Sequence, residues 1–254
     1  MFTAGSREAL RERLLEHARS SPAITAAALV GSAAAGTEDD WSDIDLALRL
    51  AQGAPQDLVA AEWTERLERE HGAAHHLDVW SGRTLFRVFL LPDSLQVDLS
   101  FWQPDDFRAS GGPFHLLFGE AGEPEPATVP DPEHLVGMAW LHALHVRSAL
   151  ARGRLWQAAT MLDGLREQLI TLTCLRAGLP AHQGRGTDRL PRDMLAALAV
   201  TRPAAVQADA ITRAFDAAAA LLIDQASIDD PRLAERLREP VTLLVRSAAV
   251  SLSP

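Results

Sequence analysis

The first 120 residues alternate between two hydrophobic periods. Leu10, Leu14 and Leu15 recur at helical spacing among charged residues, so the chain predicts an amphipathic helix over 6–19 opened by Ser6. Short apolar runs at 24–30 and 44–50 predict strands, the first ending at Gly31. Val59, Trp63 and Leu67 share one face of a helix predicted over 56–71. Strands follow at 77–80, 84–91 and 95–102, with Pro92-Asp93-Ser94 as the turn between the last two. The sum is a small α+β domain with a mixed sheet.

Beyond it the period is helical throughout. Helices are predicted over 134–151, 155–177, 191–200, 204–224 and 231–248, and Leu155, Leu162, Leu165, Leu169 and Leu172 form one seam. Short connections favour an antiparallel bundle. Four prolines within 119–132 mark an extended connection. The expected organisation is a first domain over 1–120, a linker over 121–130 and a helical substrate-binding domain over 131–254.

Composition narrows the chemistry. A single cysteine, Cys174, excludes an internal disulfide and a multi-cysteine zinc site. No apolar run reaches the roughly 18 residues of a membrane span, and the N-terminus lacks the apolar centre of a signal peptide; a cytoplasmic protein without membrane partners is expected. All 24 basic residues are arginine, which removes every lysine-based mechanism. Residues 1–120 hold 19 acids against 10 arginines, net −9. Such a surface repels nucleic acid and attracts cations, including polycationic small molecules.

The stretch 29–48, LVGSAAAGTEDDWSDIDLAL, carries the chemistry. A strand ends in Gly31-Ser32, a small and acidic loop follows, and a second strand opens with Asp43-Ile44-Asp45. Strand alternation puts Asp43 and Asp45 on one face, about 7 Å apart. Two carboxylates beside a Gly-Ser turn suit Mg²⁺ carrying phosphate, and Gly31 allows close backbone approach to it. Asp98 adds a third carboxylate from a strand whose apolar neighbours point the other way. As a metal set, Asp43 and Asp45 compete with one bland reading, a solvated strand start after Glu38, Asp39 and Asp40.

This order of features, G-S, a loop of about ten, D-x-D and a later strand carboxylate, resembles the nucleotidyltransferase superfamily that includes DNA polymerase beta. It spans Ala23 to Phe101. A short palm followed by helices looks most like the antibiotic nucleotidyltransferases that modify aminoglycosides and lincosamides. The resemblance implies transfer of a nucleoside monophosphate, AMP from ATP first of all, to a hydroxyl of a small molecule, cationic or neutral, with release of pyrophosphate. It implies Asp43, Asp45 and Asp98 as metal ligands for Mg²⁺, with Asp98 near the acceptor hydroxyl as ligand or general base. Gly31, Ser32, Ser42 and Arg166 would contact the nucleotide. Many members place Lys or Tyr near the nucleotide; this chain has neither, and arginine brings a planar fork in place of a point charge. Two other readings stand beside this one: a nucleotidyltransferase acting on a protein, and a non-catalytic nucleotide sensor.

Other residues carry weaker signals. Arg166 lies three residues from Asp163 and reads either as a helix-surface ion pair or as a phosphate ligand. His142 and His145 share a helix face without companion ligands and read as packing histidines more readily than as half a metal site. Trp41 either stacks on a ring or caps the strand. Cys174 reads as inert core.

Overall fold

The computed structural model describes residues 1–250; the last four residues of the predicted second domain lie outside the described residues. The chain forms two compact units, Met1–Thr128 and Val129–Pro254.

In the first unit, α1 (Ala4–Ser20) precedes β1 (Ile24–Val30), α2 (Gly31–Ala35), β2 (Ile44–Leu50) and α3 (Gln56–His71). Then come β3 (His75–Ser81), β4 (Thr84–Leu90), β5 (Gln96–Trp102) and β6 (Phe114–Phe118). The helix predicted to open at Ser6 starts two residues earlier: Thr3 is the cap, and its hydroxyl and Ser6 exchange reciprocal bonds in a capping box. The six strands lie in the order β3-β4-β5-β2-β1-β6. Only β2 and β5 are parallel, pairing Asp45 with Asp98, so the sheet is mixed as expected. One face packs on α1 and α3, with Leu14, Trp63, Leu46, Leu48, Leu99 and Phe101 in its core.

Two elements escape the sequence pattern. The loop after Gly31 begins with the one-turn helix α2, closed by Gly36 in the left-handed region. Strand β6 adds to the free side of β1, and the small cluster of Ala26, Ala28, Ala47 and Phe107 covers part of the sheet's second face. Burial on both faces explains why Ala47 breaks the apolar-polar alternation of β2. Within the segment predicted as linker, Gly122 and Glu125 donate backbone hydrogen bonds to Phe107 and Ala109.

The second unit is helical: α4 (Pro132–Ala151), α5 (Leu155–Arg176), α6 (Arg192–Val200), α7 (Ala208–Asp229) and α8 (Pro231–Val250). Asp131 caps α4 by accepting from the Glu133 amide. Leu162, Leu165, Leu169 and Leu172 are fully buried along α5, as the seam requires, and Cys174 joins them in the core. Among the described residues no helix is long and apolar enough to cross a membrane.

Candidate active site

Parallel pairing of β2 and β5 brings the three carboxylates together. Asp45 lies directly opposite Asp98, and Asp43 sits two residues ahead, where β2 begins. Each offers one oxygen within 4.8 Å of the others, and all three are half-buried. Two aspartates far apart in sequence thus meet on the open face of the two central strands.

The electrostatics of this trio call for a cation. Asp98 Oδ1 is buried and accepts no hydrogen bond. Its other oxygen accepts from Gln96 Nε2 at 3.4 Å, and the same amide donates to Asp43 Oδ2 at 3.2 Å. Burial first, and then the Asp43 charge, push the Asp98 carboxyl up to about 6, against the smaller opposing effect of the Gln96 bond. An unsatisfied buried oxygen facing two more carboxylates is the donor set of a hard divalent ion, so the residues fit Mg²⁺. Gln96 was not foreseen; its place two residues before Asp98, on the same strand face, is the signal that would have found it.

A pH dependence follows. Protons and metal compete for Asp98, so divalent affinity rises with pH up to about 6 and levels off above it. Mn²⁺ titrations at pH 5, 6, 7 and 8 check this, and Asp98→Asn should flatten the profile between pH 5 and 7.

Gly31 stands at the hinge between β1 and α2 with φ +60°, and a Cβ built there would run into Asp45 Oδ2. Any larger residue there would push the Asp45 carboxylate aside. Ser32 follows it as the second residue of α2. The hydroxyl of Ser42 accepts from the Asp39 amide and donates to Asp39 Oδ1, both at 2.9 Å, so it serves to close the loop ahead of Asp43. Asp39 also accepts from the Trp41 amide, and these bonds hold its carboxyl below the ordinary range. The Trp41 ring is exposed.

Arg7 locks this loop from α1, and sequence reasoning passed over it. Its side chain is 3% exposed; Nη1 donates to the carbonyls of Asp39 (2.5 Å) and Ser42 (3.1 Å), and Nε lies 3.3 Å from Glu38 Oε1. Arg11 donates to the same Glu38 oxygen at 2.7 Å. More than thirty residues separate Arg7 from Asp39 and Ser42, so nothing local in the sequence marks it among the other helix charges. The pairing also corrects a picture of three free acids beside the metal carboxylates, because Glu38 is neutralised. Arg7→Met leaves the Asp39 and Ser42 carbonyls without their donor, with Glu38 still held by Arg11, and should cost about 2 kcal/mol in urea unfolding. Arg11→Met, which leaves Arg7 in place, should cost about 1 kcal/mol or less.

The remaining residues lie in the helical unit. Arg166 donates to Thr201 Oγ1 at 3.0 Å and to Asp163 Oδ1 at 3.3 Å. The His142 ring lies against Gly164 of α5, where a Cβ would come within 2.7 Å of its Cε1. Among the described residues the aspartate trio is the one cluster suited to a metal.

No family model matches the sequence, and neither does any curated protein. Among solved structures the chain is similar to an aminoglycoside 6-adenyltransferase from Bacillus subtilis, with a TM-score of 0.41 and 12% identity over 91% of this chain and 95% of that one. At that level the likeness carries no weight for chemistry, which rests on Asp43, Asp45 and Asp98.

Proposed function

We propose that the protein is a nucleotidyltransferase that moves a nucleoside monophosphate, AMP from ATP in the first place, to a hydroxyl of a small molecule and releases pyrophosphate. The observation that carries this is the convergence of Asp43, Asp45 and Asp98 around an unsatisfied buried oxygen, beside the Gly31 turn. Asp43, Asp45 and Asp98 would hold Mg²⁺. Bound there, Mg²⁺ neutralises triphosphate charge and lowers the pKa of a hydroxyl.

The chain's own groups divide the remaining work. Gly31 keeps the backbone bare where phosphates approach, and Ser32 offers a hydroxyl donor next to it. Asp98 would take the acceptor's proton as the new oxygen–phosphorus bond forms and the bond to pyrophosphate breaks. Gln96 fixes the relative positions of Asp43 and Asp98. Arg7 holds the loop that delivers Asp43.

The test is the mass of products formed when ATP, GTP, CTP or UTP is incubated with Mg²⁺ and a panel of hydroxylated acceptors. An acceptor gaining one nucleoside monophosphate, with equimolar pyrophosphate, supports the reading. Hydrolysis alone, or no consumption of any nucleotide, sinks it.

A further inference from the structure

Strand β3 forms one edge of the sheet. Its charged residue, Asp78, and the cross-strand Arg87 turn toward the helix-covered face. There they form a bidentate pair at 2.6 and 2.7 Å, and Arg87 also donates to the Ala60 carbonyl of α3. Leu77 and Val79 turn to the open face, while Trp80, paired with Leu85, stays on the side of Asp78. Leu77 is 60% exposed, Val79 48% and Leu90 54%, with Val88 and Phe86 half-buried between them.

The pairing register sets where this patch lies. Leu77 is opposite Val88, Val88 opposite Asp98, and Asp98 opposite Asp45. One cross-strand row therefore runs from apolar to acidic. The next row runs Val79, Phe86, Ser100. With neighbouring strands about 4.8 Å apart, Leu77 stands roughly 10 Å from Asp98 and roughly 14 Å from Asp45 on the same face. Contiguous exposed apolar surface of this kind marks a contact site, and this one is continuous with the proposed active site.

The direction of the reaction assigns its occupant. Gly31 lies on the β1 side of the carboxylates, where the nucleotidyl-transfer reading puts the triphosphate. In-line displacement puts the attacking oxygen opposite the leaving pyrophosphate. The acceptor then approaches from the β5-β4-β3 side, over Val88 and Leu77. We infer that this apolar shelf is the acceptor subsite and that it seats an uncharged alkyl or ring portion of a hydroxylated small molecule. The inference rests on the nucleotidyl-transfer reading for the side of approach. The acidic composition of the chain suggests a polycation; the shelf places no charge under the acceptor, and Glu38 is already paired.

Methyl, butyl and hexyl β-D-glucoside are suitable probes, titrated calorimetrically with Mn²⁺ and a non-hydrolysable ATP analogue, and again with chelator. Affinity should tighten about two- to fourfold per added methylene. The exposed pair Leu77→Glu and Val79→Glu should abolish that dependence on chain length while leaving Mn²⁺ affinity unchanged. Trp156→Glu, at an exposed tryptophan of the helical unit, should leave both unchanged. No chain-length dependence in the wild type, or the same dependence in the glutamate pair, overturns the shelf. So does tighter binding of a polycationic aminosugar that the glutamate pair does not disturb. A wild-type dimer in sedimentation that the glutamate pair disperses assigns the patch to a second copy and also overturns it. Mn²⁺ affinity at the aspartates is read separately, so failure of the shelf is distinct from failure of the nucleotidyl-transfer reading.

Discussion

Asp98→Asn abolishes transfer, by a factor on the order of 10³ or more, and at the same time stabilises the metal-free protein at pH 8. The first effect follows from losing both a metal ligand and the group that takes the acceptor proton. The second follows from linkage. Burial and the Asp43 charge raise the Asp98 carboxyl to about 6 in the folded state, against about 3.9 in an unfolded chain. An acid whose folded pKa is raised binds its proton more tightly when native. The metal-free protein therefore loses stability as pH rises from about 4 to about 6, and the loss is complete above that. Asparagine cannot ionise and escapes it. Thermal melts with chelator at pH 4 and pH 8 check this: the variant should gain on the wild type at pH 8 only. Added Mn²⁺ should reverse the order by stabilising the wild type alone. An equal offset at both pH values would mean that Asp98 does not titrate as described.

The second large effect is at Gly31. Gly31 opens α2 and Gly36 closes it, at φ +60° and +66°. Each pays about 1 kcal/mol for an alanine on backbone grounds. Only at Gly31 does the added Cβ meet something, the Asp45 carboxylate; at Gly36 nothing lies within 4 Å. Gly31→Ala should weaken Mn²⁺ binding at least tenfold and lower turnover on the order of 100-fold, since Asp45 must swing away from its partners. Gly36→Ala should show the backbone cost in urea unfolding with Mn²⁺ affinity intact. Matching metal affinities in the two variants would remove Gly31 from the site.

The strand and helix pattern and the three aspartates were legible because each rests on local information. Alternation places Asp43 with Asp45, and the lone polar side chain in an apolar strand marks Asp98. What stayed hidden depends on partners distant in sequence. Strand β6 is five residues without alternation, and its pairing with β1 spans more than eighty residues. Arg7 looks like any surface arginine of an amphipathic helix until the Asp39–Ser42 loop folds over it. Gly31 was legible as a glycine that must remain one, for phosphate access; the structure adds the Asp45 contact, which no spacing along the chain encodes. The apolar shelf was visible only as strands. That Leu77 and Val79 face the side of Asp98, and stay uncovered, emerges from the register of three strands together.

The account stands on the aspartate trio as a divalent-metal centre, and Mn²⁺ binding followed by electron paramagnetic resonance tests it most directly. Wild type should bind Mn²⁺ with an affinity that rises up to about pH 6 and then levels off, and Asp45→Asn and Asp98→Asn should each weaken it at least tenfold while unfolding as cooperatively as the wild type. Mn²⁺ binding that is absent in the wild type, or unchanged in both variants, would contradict the metal centre and the nucleotidyl transfer built on it.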